Sequence, residues 1–261
     1  MLIAEWMRSQ SAIINQKSEM NNIAFPSNEL KIAAQLYLPD AARFAPPYPG
    51  VVICHGIGSR KESHASFAEF MAQNGFAALA FDFRGHGESD GQLDDHTLDD
   101  VIAAIDFLAA QPGVNAARLA VRGSSMGGMF ALHAAIRDAR LRAVAAIAPA
   151  NEERVAAGVE SGTLLQILAR ENLPVRVDVP AFARYLRSRN ARAEIAQITP
   201  RALLLIHCKG DELVPYRGTE ELLAAAREPK KLLMLDGGHH RFAQQDIDTH
   251  RVTLEWFREH L

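Results

Sequence analysis

With 261 residues, 48% of them hydrophobic, the chain can bury one large core or two small ones. A formal net charge of only −3 leaves no basic surplus for nucleic acid and no polybasic block for an anionic membrane. Two cysteines, Cys54 and Cys208, cannot build a disulfide framework; as small buried hydrophobes they suit a reducing compartment. The first residues carry Glu5 in a broken apolar run rather than a basic start and a cleavage site. No apolar run reaches roughly 18 residues. A cytoplasmic protein without a membrane span is expected.

Residues 1–20 have weak helical periodicity and read as an N-terminal extension, with Met20 a second candidate start. Ile32–Leu38 reads as a strand, and the proline-rich stretch through Pro39, Pro46, Pro47 and Pro49 to Gly50 as a turn. Val51–Cys54 is a short continuous apolar run, as in a strand buried on both faces, and it leads into His55-Gly56-Ile57-Gly58-Ser59. Phe67, Phe70 and Met71 share a helical face that Asn74-Gly75 closes before the next buried strand, Phe76–Phe81. That strand runs into the glycine-dense loop Asp82–Gly91, after which Thr97 and Asp100 open a helix with Leu98, Val101, Ile102, Ile105 and Leu108 on one side. Two β-α-β units with a parallel sheet are implied.

Leu119–Val121 continues the sheet into Gly123-Ser124-Ser125-Met126-Gly127, a G-x-S-x-G match followed by an alanine-rich helix. Glycines at those positions let strand and helix approach closely while the backbone pushes the Ser125 hydroxyl outward. Ser124 would break that spacing. Ala143–Ala148 is the next strand, ended by Pro149. From 151 to 199 the alternation stops, leaving helix-like pieces (163–170 and 180–189) and no strand-like run, so this segment is the expected lid. Counting Arg201 at its exit it has eight arginines, no lysine and six acids, which reads as a solvated face or as attraction for an anionic substrate. The core resumes with Ala202–His207, the turn Lys209–Pro215, a helix over 219–227, a strand Leu232–Leu235, the loop Asp236–Phe242 and a final amphipathic helix from Ile247 to His260.

Ser125, Asp211 and one of His239 and His240 thus fall at the carboxyl ends of parallel strands, where open α/β sheets build their sites. A serine hydroxyl needs an imidazole to take its proton, and the imidazole needs a carboxylate to fix its tautomer and stabilise its charged form. The backbone N–H groups of Ile57 and Met126 are placed to hold a developing oxyanion. Glu212 and the pair Glu152 and Glu153 are the rival acids. His55 and His86 read as scaffold, bonding backbone within glycine loops. Neither His239-His240 nor Asp94-Asp95-His96 has the spacing of a zinc site, so neither metal nor cofactor is expected.

From about residue 30 onward the chain resembles an α/β-hydrolase. His55-Gly56-Ile57-Gly58 is similar to that family's oxyanion loop, Asp82–Ser89 to its glycine-rich loop after the fourth strand, and Gly123–Gly127 to its nucleophile elbow. Together with an insertion before the acid, these resemble most the bacterial serine carboxylesterases of feruloyl-esterase and monoacylglycerol-lipase type. The resemblance implies a mostly parallel sheet flanked by helices, with core segments 21–150 and 200–261 and a helical cap at 151–199. Asp211 matches the family's Gly-Asp-x-x-Val-Pro turn, and its Gly-x-x-His-x-Phe loop aligns with His240, with His239 as runner-up. The implied partner is a small-molecule ester; a homodimer is left open. The implied reaction is ester hydrolysis through an acyl-enzyme, against a thioesterase, amidase or peptidase with the same residues, or a non-catalytic binding module.

Overall fold

The computed structural model describes residues 19–261, in which eight strands form one sheet in the order β1-β2-β4-β3-β5-β6-β7-β8. The strands are β1 (Glu19–Ser27), β2 (Leu30–Leu38), β3 (Tyr48–Cys54), β4 (Ala77–Phe81), β5 (Val114–Ser124), β6 (Leu141–Ile147), β7 (Ala202–Cys208) and β8 (Lys230–Leu235). From β4 to β8 every pairing is parallel; β2 pairs antiparallel with both β1 and β4. The architecture is the α/β-hydrolase fold that the motifs implied.

Continuous apolar strands follow from burial on both sides. Along β3, Val52 and Cys54 face one core and Val51 and Ile53 the other. Helices α1 (Ala65–Gln73) and α10 (Ile247–His260) cover the second face through Phe67, Met71, Leu254 and Phe257. The first face is covered by α2 (Thr97–Ala109) and α3 (Met126–Arg137). Each fully buried side chain of this size contributes about 1.5–3 kcal/mol.

Between β6 and β7 lie α4 (Glu152–Glu160), α5 (Thr163–Arg170), α6 (Val179–Arg187) and the short α7 (Ala191–Glu194). Side-chain caps start three of them: Asn151, Asp178 and Asn190 each accept from the backbone N–H three residues on. Two contacts, one buried and one through the backbone, pin the insertion to the core. Buried Glu152 accepts from His133 Nε2 of α3 at 2.8 Å and from the Ala191 N–H at 2.8 Å. At the second, Arg176 N–H donates to the Gly85 carbonyl at 3.0 Å, where a Cβ on Gly85 would lie 2.4 Å from the Arg176 oxygen. After β7 come α8 (Arg217–Ala225) and, past β8, the single turn α9 (Phe242–Gln245).

Several expectations change. The extension was drawn to residue 20, yet Glu19 and Met20 already pair with Leu38 and Tyr37 in β1, a strand that was not anticipated; residues 1–18 lie outside the described residues. The proline-rich turn ends earlier, since Tyr48, Pro49 and Gly50 belong to β3, where a register shift between Tyr48 and Gly50 accommodates Pro49. Residues 151–199 contain no strand, as expected, and only an isolated parallel bridge between Val177 and Leu93.

Candidate active site

Ser125 sits between β5 and α3 with φ 55° and ψ −120°, a positive φ rare outside glycine. The turn that imposes this leaves no room for side chains beside it. A Cβ on Gly123 would lie 2.1 Å from the Gly127 oxygen, and one on Gly127 would lie 2.3 Å from the Cys54 oxygen. The Ser125 N–H donates to Ile147 at 2.9 Å, so the neighbouring strand β6 holds the turn. Ser124 is buried, its hydroxyl 3.4 Å from His64 Nε2.

A cavity of about 490 Å³ opens over Ser125. Ile57, Met126 and His240 line it, as do Leu164, Ile167 and Leu168 from α5 and Leu213 and Val214 from the loop after β7. Four charged side chains also reach its wall: Arg154, Glu171, Glu221 and Arg241. Glu171 faces Arg241 at 3.7 Å, and Glu221 pairs with Arg192 at 2.8 Å.

The Asp211 side chain is 1% exposed and accepts from His240 Nδ1 at 2.7 Å. Its other oxygen accepts from the N–H groups of Leu213 and Val214 at 2.9 and 2.8 Å. Burial pushes the Asp211 carboxyl up, but hydrogen bonds from His207, His240 and Val214 outweigh it and hold the carboxyl well below the usual range. With Nδ1–H given to Asp211, Nε2 is the His240 nitrogen left to take a proton. The His239 ring turns elsewhere: its Nδ1 accepts from the Arg241 N–H at 3.2 Å, and its face meets Phe242 edge-on. The rival acids are otherwise engaged. Glu212 accepts from the His240 backbone N–H at 3.2 Å, Glu152 is taken by His133, and Glu153 faces Arg187 at 3.3 Å.

The loop carrying Ile57 is braced by the histidines read as scaffold. His55 Nε2 accepts from Phe83 N–H and His86 Nε2 from Gly58 N–H, both at 3.0 Å. Both rings are therefore neutral acceptors. Burial lowers their pKa values, that of His86 to about 3. Lys61, just beyond, donates through its backbone N–H and its Nζ to buried Asp82, each at 2.8 Å.

Sequence reasoning missed His207. Its Nε2 lies 3.2 Å from Asp211 and 3.0 Å from the Val214 carbonyl, while Nδ1 is hydrogen-bonded to the Thr219 hydroxyl at 2.6 Å. A histidine four residues before the acid, ending an apolar strand, was the available signal. Among the described residues there is no cluster of three or more His, Cys, Asp or Glu that could hold a metal, and no helix is long and apolar enough to cross a membrane.

The chain is similar to known proteins in sequence and in fold. YfhR of Escherichia coli K12, an uncharacterized protein, is 28% identical over 211 residues, covering 78% of this chain and 68% of its own. Hypothetical protein PA2218 of Pseudomonas aeruginosa superposes with a TM-score of 0.80 at 26% identity, covering 95% of both chains. Est1E of Butyrivibrio proteoclasticus, solved with ferulic acid bound, shares the fold at a TM-score of 0.70 and 21% identity, covering 91% of this chain and 96% of that one. Residues 45–188 match the family model Hydrolase_4, serine aminopeptidase S33, and the chain belongs to that family of α/β-hydrolases.

Proposed function

We propose that this hydrolase cleaves carboxylic esters of small to medium acyl groups through an acyl-enzyme on Ser125. The observation that carries the reading is the 2.7 Å contact between His240 Nδ1 and Asp211 beside the cavity over Ser125. In the first half-reaction Ser125 Oγ bonds to the acyl carbon as His240 Nε2 takes its proton, and the oxyanion falls to the Ile57 and Met126 N–H groups. Collapse breaks the ester bond, and His240 returns the proton to the leaving alcohol. Water, deprotonated by the same nitrogen, then releases the acid and restores Ser125. Asp211, ionised throughout, fixes the imidazole tautomer.

The apolar side chains of α5 support a cap role for 151–199, in which each acyl methylene buried against Leu164, Ile167 and Leu168 contributes about 0.8 kcal/mol. An aminopeptidase reading is less favoured. It needs a carboxylate for the substrate α-ammonium, and both wall carboxylates are already paired. The buried free thiols of Cys54 and Cys208 fit a reducing cytoplasm.

A p-nitrophenyl ester series of rising acyl length, run beside an aminoacyl p-nitroanilide, tests the reading. Ester turnover should exceed amide turnover, Ser125→Ala and His240→Ala should lower kcat by on the order of 10⁴ or more, and His239→Ala should be far milder. A Ser125→Ala protein retaining a tenth of the wild-type ester activity would rule the mechanism out.

A further inference from the structure

Arg122 lies three residues before Ser125 on β5 and is completely buried. Among the described residues its guanidinium meets only neutral groups. Nη1 donates to His64 Nδ1 at 3.2 Å, Nη2 donates to the Gln244 carbonyl at 3.1 Å, and the group rests 3.9 Å over the Phe67 ring. Nε has no hydrogen-bond partner among the described residues, and no carboxylate there pairs with Arg122. Burial draws its pKa down to about 9, which still leaves it charged at neutral pH. His64 is correspondingly neutral, held well below its ordinary value by burial and then by the Arg122 charge.

An enclosed cation without a counter-ion is unfavourable, and an apolar residue of similar length would remove the penalty. What the guanidinium joins accounts for its presence. His64 ends the 3₁₀ turn Lys61–His64 that follows the Ile57 loop. Gln244 stands in α9, four residues beyond His240, and itself lines the cavity. Its carbonyl receives a second side-chain donor, His250 Nε2, at 3.0 Å. One planar group therefore connects the strand leading into Ser125, the segment after the oxyanion loop and the segment after the base.

We propose that Arg122 is a positioning residue, a buried strut that fixes the separation of Ser125, His240 and the Ile57 loop while protons move between the first two. The proposal rests on the esterase reading above. A hydrogen bond from a charged donor is stronger than a neutral one of the same geometry, and the guanidinium fork holds two partners in one plane, which a lysine ammonium cannot do. Misplacing a reacting group by about 1 Å can lower the rate on the order of 10²-fold, so a strut of this kind bears on kcat rather than on substrate binding.

The test measures kcat, KM, melting temperature and fluorophosphonate labelling on a short p-nitrophenyl ester for the full chain, Arg122→Met and Arg122→Lys. Arg122→Met should melt no lower than the wild type, keep its KM, and lose on the order of 10²-fold in kcat; Arg122→Lys should recover part of that loss. A folded Arg122→Met protein whose kcat stays within about threefold of the wild type, or whose loss lies in KM, overturns the strut. If Arg122→Met fails to fold, Arg122→Lys decides: an intermediate kcat supports the strut and a wild-type kcat overturns it. A wild type that neither turns over esters nor labels takes the esterase reading down with it, whereas an active wild type beside equally active variants removes only the strut.

Discussion

Arg84 and Arg122 are both buried, at 2% and 0% exposure, and their surroundings are opposite. Arg84 turns its Nε and Nη2 to Asp100 and its Nη1 to Asp94 at 2.8 Å, and Ser27 donates to the same Asp100. Burial works to lower the Arg84 pKa, but hydrogen bonding and charge from Asp100 and then Asp94 outweigh it, and the value rises. Burial pushes the Asp100 carboxyl up and outweighs the opposing pull of the Arg84 and Ser27 donors, whose hydrogen bonds nonetheless make it the partner of the guanidinium. Arg122 has no such partner, and its pKa falls. A neutralised guanidinium secures the loop after β4 to β1 and α2; an unneutralised one meets the segments that flank the candidate site. The contrast separates a residue kept for stability from one whose burial local stability does not explain.

The largest expected effect falls on the Arg84 side. Asp100→Asn keeps the shape and removes the charge, leaving a buried cation with only part of its compensation, and should destabilise the fold by about 3–5 kcal/mol in urea unfolding. Molecules still folded should turn over substrate at near wild-type kcat, the inverse of Arg122→Met. If Asp100→Asn lowered kcat at unchanged stability, the division of labour between the two arginines would be wrong.

Acid comes next and acts on the Arg122 side. His250 is held down to about 4, by burial first and the Arg122 charge second, against opposing pulls from the Gln244 carbonyl and Asp246; His64 is also held well below its ordinary value, by burial and then the Arg122 charge. Because these folded values lie below the unfolded value of about 6.5, the unfolded chain binds more protons as the pH drops. The associated stability is complete above about pH 6.5 and is lost as the pH falls toward 4, by up to about 1.4 kcal/mol per pH unit for each histidine. The carboxyl of Asp211, held low, drops out only at more acidic pH. Denaturant midpoints at pH 7 and pH 5 should therefore differ in the wild type and differ less in Arg122→Met, whose His250 and His64 no longer face a cation. An equal pH dependence in both proteins would show that burial alone sets these values.

Much of this was readable from the sequence, and what was not has a physical cause. The elbow was legible because Gly123 and Gly127 are demanded by backbone contacts under 2.5 Å, a requirement that leaves its mark in five consecutive residues. Helices at 163–170 and 247–260 showed a regular apolar period, and the structure has both at those bounds. Strand β1 was invisible because Glu-Met-Asn-Asn-Ile-Ala-Phe-Pro-Ser carries a proline and polar residues that an edge strand tolerates. Helix α4 was missed although Asn151 followed by Glu152 and Glu153 is a capping pattern, since its own residues average polar. Which of the paired histidines meets Asp211 depends on how the loop after β8 turns, and the residue motif alone left both open. Arg122 was hidden in an apolar strand, and nothing nearby in the chain announces that its partners lie 58 and 122 residues away.

The smallest effect comes from a third guanidinium, at the other limit of exposure. Arg192 of α7 pairs with Glu221 of α8 at 2.8 Å, with both side chains more than half exposed, so it crosses from the insertion to the core in full contact with water. There a charge that loses its partner is solvated rather than stranded, and the ion pair is screened by salt and opposed by the entropy of two long side chains. Arg192→Gln should therefore change stability by less than about 1 kcal/mol, and by less again in 0.5 M salt. Urea midpoints of the wild type and the variant at two ionic strengths measure this directly. A loss approaching that of Asp100→Asn would mean that the insertion is held to the core by this contact rather than by Glu152 and the Gly85 seam, and that exposure is not what ranks the arginines of this fold.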